Sequence, residues 1–242
     1  MIYLLDGAAN EDYLHLAGLV QFFQMYQLMP ESILVGIANV DASVDRQRGS
    51  TAWIASVDRQ RGSTAWIDSV DRQRDFTHHT DNAELLEAIP TGGSSAAFLE
   101  FIQHELQPFI DSEYRTNGDD MLIGQSLGGL LATEALLSKP ELFEKYLIVS
   151  PSLWWDDSSM IDGAGSFAVH HPDLDRQVFL SIGTEPKAMH EGMAILRDLL
   201  SGCGGGFRYE FLRLPDESHA TVHHRAVYAG FESFFGEEYP GL

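Results

Sequence analysis

The chain has 242 residues, enough for one domain with a single core, and it carries 36 Asp and Glu against 15 Lys and Arg, a net charge of −21. That charge repels phosphate backbones and anionic bilayers, which excludes a nucleic-acid or membrane-surface role, and no apolar run is long enough to span a membrane. The single cysteine, Cys203, permits neither an internal disulfide nor a cysteine-based metal cluster. Short apolar runs then alternate with longer amphipathic stretches, the pattern of βα units in a mostly parallel sheet with helices on both faces. Strands are expected at Ile2–Leu5, Ile33–Ala38, Met121–Gly124, Tyr146–Val149, Val178–Ile182 and Tyr209–Leu212. Helices are expected at Tyr13–Leu28, Ala96–Glu113 with a bend at Pro108, Ser126–Ser138, Ala188–Leu200 and Thr221–Phe235. One segment breaks this rhythm. Ser43–Ala55 is repeated as Ser56–Asp68 with only the last residue changed, and Ser69–Arg74 begins a third copy. The period matches no common solenoid class, so 43–70 reads as a duplicated loop insertion within one domain covering 1–242.

Gly124-Gln125-Ser126-Leu127-Gly128 lies between the third strand and the helix that follows it. A G-x-S-x-G turn in that setting lets strand and helix pack closely while the serine occupies a strained backbone position with its hydroxyl above the sheet. Ser126 is the expected nucleophile. A hydroxyl needs a base, and chain order places the base in the loop after the last strand, which selects His219 from ten histidines. His223 and His224 fall inside the final helix; the i, i+4 pair His219 and His223 has no evident third ligand, so no metal and no cofactor are expected. Glu185, just past the fifth strand, is the preferred acid to orient the imidazole, with Asp216, Glu217 and Asp198 as competitors. The oxyanion of a tetrahedral intermediate needs two backbone donors: Leu127 at the start of a helix, and Ala8 or Gly7 in the loop after the first strand. Asp6 is expected to order that loop. Trp154 and Trp155 either line a substrate pocket or belong to the core.

Leu4-Leu5-Asp6-Gly7, Leu34-Val35-Gly36-Ile37, Asp71-Arg72-Gln73-Arg74-Asp75-Phe76-Thr77, the serine turn, Pro140-Glu141-Leu142-Phe143 and Ser150-Pro151-Ser152-Leu153-Trp154-Trp155 occur in a recognisable order. Together they resemble the Putative esterase family of the α/β-hydrolase superfamily, which includes enterochelin-esterase-like siderophore esterases and S-formylglutathione hydrolases. The resemblance implies an α/β-hydrolase fold, a cofactor-independent serine esterase with Ser126 as nucleophile, His219 as base and Ala8 as second oxyanion donor, and a small ester as partner. Siderophore-type lactones fall within that class, although an acidic surface repels an anionic iron-loaded ligand. Thioester hydrolysis or acyl transfer would use the same parts, and a non-catalytic binding module is the rival from another class. The family usually carries strands before Leu-Asp-Gly, so the N-terminal edge of the sheet is expected to be missing and the uncovered edge to favour self-association. The chain reads as soluble and, with no leader after Met1, as cytoplasmic by default, against an N-terminus that reads as truncated.

Overall fold

The computed structural model describes residues 1–39 and 70–236. The predicted insertion at 43–70 lies, except for Val70, outside the described residues. Each of the six expected strands forms: β1 (Ile2–Leu5), β2 (Leu34–Ile37), β3 (Met121–Gln125), β4 (Lys145–Val149), β5 (Gln177–Thr184) and β6 (Arg208–Ser218). They build one sheet in the order β2-β1-β3-β4-β5-β6, and every pairing is parallel.

Period-2 alternation along the strands divides the interior into two cores. Tyr3, Leu5, Leu122, Tyr146, Ile148, Val178 and Leu180 face one side, while Ile2, Leu4, Met121, Ile123, Leu147, Val149 and Phe179 face the other. The second face is covered by α1 (Tyr13–Met25), through Leu16, Leu19, Val20 and Phe23, and by the last helix, Val222–Phe235, through Val222, Ala226, Val227 and Phe231. The opposite face is covered by α4 (Ser95–Phe101), α6 (Leu127–Ser138) and α9 (Lys187–Ser201), and the final helix is therefore α10.

Helices α2 (Val70–Phe76) and α3 (Ala83–Ala88) were not expected. In α2 only Val70 and Phe76 are apolar, and α3 is a six-residue helix started by Asn82, whose side chain accepts from the N–H groups of Glu84 and Leu85. The helix expected from Ala96 to Glu113 is interrupted ahead of its proline. A wide turn at Ile102–Leu106 joins α4 to α5 (Gln107–Glu113), and Gln107 N–H reaches back to the carbonyl of Ile102. A proline has no N–H and its ring crowds the carbonyl four residues earlier, so an i→i−5 turn just before Pro108 lets the segment continue without a break. Two further short helices, α7 (Ser159–Asp162) and α8 (Phe167–His170), fill the crossover from β4 to β5.

Candidate active site

The turn from β3 into α6 is forced into an unusual shape. Ser126 has φ 60° and ψ −119°, a region that a residue with a side chain occupies only when its surroundings hold it there. A methyl group on Gly124 would stand 2.3 Å from the carbonyl oxygen of Gly128, so only glycine allows β3 and α6 to approach this closely. The Ser126 N–H donates to Val149, its carbonyl accepts from Ser152, and its Oγ lies 3.4 Å from the Ser152 hydroxyl. Leu127 is the first residue of α6, where an N–H has no carbonyl partner inside the helix.

The acid and base candidates are brought together by the sheet. β5 and β6 run in register from Gln177↔Arg208 to Ile182↔Arg213, then slip through an irregularity to Thr184↔Ser218. That slip sets Glu185 and His219, the next residue on each chain, side by side. His219 Nδ1 lies 2.9 Å from Glu185 Oε1. The Glu185 side chain is only 1% exposed and the His219 ring is 42% exposed, so the carboxylate is held inside while the imidazole faces outward. Gln125 donates its side-chain amide to the carbonyl of His219, fastening the histidine loop to the residue that precedes Ser126. Among the described residues no hydrogen bond joins the Ser126 hydroxyl to the His219 ring. The competing acids lie elsewhere: Glu217 pairs with Arg225 at 3.0 Å, Asp216 is exposed at the end of β6, and Asp198 sits in the last turn of α9.

The loop after β1 is held from beneath. Asp6 lies in the left-handed region at φ 54°, and its carboxylate accepts from Arg72 Nε at 2.7 Å, from Arg72 at a second nitrogen at 2.9 Å, and from Asn39 at 3.0 Å. Arg72 and Asp6 are both buried. A third Arg72 contact reaches the carbonyl of Gln125 at 3.4 Å, so one guanidinium ties the β1 loop to the serine turn. In Arg72→Met the buried Asp6 carboxylate would keep only Asn39 as a side-chain partner among the described residues. Removing one partner of a buried pair costs about 3–5 kcal/mol. Chemical denaturation should show a loss of that size, with part of it restored in Asp6→Asn/Arg72→Met; an unchanged unfolding midpoint in the single variant would show that the pair does not hold the loop.

Of the two expected donors in this loop, Gly7 N–H is committed to the carbonyl of Ile37. Ala8 N–H is engaged as well, by Glu11 Oε2 at 2.9 Å. Burial pushes the Glu11 carboxyl up to about 7, opposed by the hydrogen bond from Ala8. Trp155 is buried at 1% exposure and donates its ring N–H to the carbonyl of His78, which makes it core and not a pocket wall; Trp154 is the exposed member of the pair. Sequence reasoning missed Gln125, Arg72, Glu11 and Ser152. Each acts through a partner far along the chain or through a turn geometry, and only the position of Arg72, Gln125 and Ser152 inside the quoted motifs pointed to them.

The model of the Putative esterase family matches residues 67–200, more than half of the chain. The chain belongs to that family. The matched span contains Ser126 and Glu185 and ends before His219. Among curated relatives of this chain, the siderophore enterobactin esterase of Emericella nidulans is 38% identical over 92 residues, 34% of this chain and 30% of the relative. The ferri-bacillibactin esterase BesA of Bacillus subtilis is 28% identical over 147 residues, 55% of this chain and 49% of the relative. The matched segments thus span about a third to a half of those proteins. Among solved structures, the IroE-like serine hydrolase from Shewanella oneidensis superposes with a TM-score of 0.75 at 27% identity, covering 98% of this chain and 70% of that one. The sheet, the helices on both faces and this likeness make the chain an α/β-hydrolase fold.

Proposed function

We propose that this esterase-family chain is a serine hydrolase that cleaves carboxylic esters, including siderophore-type esters of the kind named for its relatives. The observation that carries the reading is the contact of Glu185 with His219 beside a strained serine turn. Ser126 Oγ attacks the ester carbonyl as His219 takes its proton at Nε2, and Glu185 accepts the Nδ1–H and so fixes the tautomer with the free nitrogen outward. The oxyanion is received by Leu127 N–H, and by Ala8 N–H once Glu11 has given up that bond. The proton then passes from His219 to the leaving alcohol, leaving an acyl-serine that water removes by the same steps in reverse. No cofactor enters this sequence of steps.

Two measurements test the reading. The protein should hydrolyse p-nitrophenyl butyrate without added metal, and a fluorophosphonate should form a single adduct that peptide mapping places on Ser126. Failure of both would leave the chain a non-catalytic member of its family. Release of the acid from an iron-free trilactone siderophore, followed by chromatography, tests the narrower substrate class.

The exposed end of the sheet supports a separate proposal. β2 is the outermost described strand on its side, with Ile33 beside it 37% exposed. An uncovered strand edge presents backbone donors and acceptors to a second copy. Light scattering coupled to size exclusion should therefore find a dimer or larger species, and a monomer across the accessible concentration range would contradict self-association through this edge. Among the described residues no helix is long and apolar enough to cross a membrane.

A further inference from the structure

The same face of the sheet that carries α1 and α10 brings together four polar side chains that the proposed chemistry does not use. Asp12 stands immediately before α1, His15 lies one turn into it, and His223 and His224 open α10. One carboxylate oxygen of Asp12 is 2.9 Å from His15 Nε2, and the other is 2.9 Å from His223 Nδ1. One ligand atom from each of Asp12, His15 and His223 lies within 4.8 Å of the other two.

The state of His223 distinguishes this cluster from an ordinary buried network. The residue is 5% exposed; Nδ1 contacts the Asp12 carboxylate at 2.9 Å without a well-formed hydrogen bond, and Nε2 has no hydrogen-bond partner among the described residues. A buried imidazole with poorly satisfied nitrogens is costly in free energy, and a cation accepting the lone pair of Nδ1 would satisfy that nitrogen. The second nitrogen of His15 fits the same picture: Nδ1 lies 3.3 Å from His224 Nδ1. Ligating histidines commonly donate their other ring N–H to a neighbouring acceptor, which fixes the tautomer and turns the coordinating nitrogen inward. A neutral His224 can be that acceptor.

We infer that Asp12, His15 Nε2 and His223 Nδ1 form a binding site for a divalent cation of the zinc class, with His224 orienting His15. Two imidazoles and one carboxylate are a donor set such ions favour, and tetrahedral bonds of about 2.0–2.2 Å place ligand atoms roughly 3.3 Å apart. The two Asp12–histidine separations of 2.9 Å, and the 4.8 Å within which all three ligand atoms fall, are close enough that side-chain shifts would admit the ion. The location gives the site a structural role. Asp12 N–H donates to the carbonyl of Asp6 in the loop that presents Ala8, and His223 follows the candidate base His219 by four residues. An ion there would fasten the β1 loop to the start of α10, joining the two loops on either side of the serine turn. The partners of His223 in this cluster come from the start of α1 and the residue before it, more than 200 residues earlier.

The test uses the full chain stripped of metal by a chelator and does not depend on esterase activity. Calorimetric titration with Zn2+ should show one saturable equivalent, and Co2+ should develop the visible absorption of a low-coordinate nitrogen and oxygen site. His15→Gln replaces a partly exposed side chain and should lower affinity by more than about tenfold, His224→Gln should lower it by about tenfold, and His104→Gln on the opposite face should leave it unchanged. Melting temperature should rise with Zn2+ in the unaltered protein and not in His15→Gln. No saturable one-to-one uptake, or uptake of equal affinity in His15→Gln and Asp12→Asn, would overturn the inference.

Discussion

Ser126→Ala is expected to lower kcat on p-nitrophenyl esters by roughly 10^4- to 10^6-fold while leaving the fold intact. The size follows from the role: without the hydroxyl there is no acyl intermediate, and what remains is water attacking an ester held near the oxyanion donors. The fold should tolerate the change because the Ser126 backbone, and not its side chain, carries the structural bonds. Its N–H and carbonyl bond Val149 and Ser152, whereas Oγ makes a single contact at 3.4 Å. A glycine-like φ of 60° is no harder for alanine than for serine. Steady-state rates with an unchanged circular dichroism melt decide the matter; wild-type rates from protein freed of contaminating esterase would falsify the nucleophile assignment.

His219→Ala should be nearly as damaging, since an unactivated hydroxyl is a poor nucleophile, and Glu185→Gln should cost roughly one to two powers of ten less. The ordering rests on geometry. Glu185 reaches only Nδ1 of the ring, so its loss impairs the tautomer and the stability of the charged imidazole but leaves the outer nitrogen able to take a proton. Gln125 still holds the histidine loop through the His219 carbonyl. Both variants should be compared at saturating substrate. Should Glu217→Gln prove damaging and Glu185→Gln silent, the acid belongs to β6 and the 2.9 Å contact is structural only.

The strands were legible because short continuous apolar runs such as Ile2–Leu5, Met121–Ile123 and Tyr146–Val149 fit a sheet covered on both faces. The serine turn was legible because Gly124 and Gly128 frame it, and at Gly124 a side chain would collide with the backbone of Gly128. What escaped was long-range. Nothing in the local pattern of Asp71-Arg72-Gln73-Arg74, which both preceding copies share in full, announces that Arg72 is buried against a carboxylate 66 positions earlier. Glu11 reads as a solvated residue at a helix start until the loop folds its carboxylate onto Ala8 N–H. Likewise Asp12, His15 and His223 become neighbours only because α1 and α10 cover the same face of the sheet.

The slip between β5 and β6 has a kinetic consequence. β6 is the outermost described strand on its side and pairs with β5 alone, whereas the strand bearing the serine turn is flanked on both sides. His219 therefore follows a strand held by a row of backbone bonds on one described side, with the Gln125 amide and the Glu185 carboxylate as side-chain ties, and opening of that row is a smaller event than unfolding of the domain. On warming, catalytic competence should vanish reversibly some degrees below the cooperative melt, with amides of β6 exchanging with solvent earlier than those of β3. The nucleophile would then be the last part of the machinery to lose its shape, and the base the first.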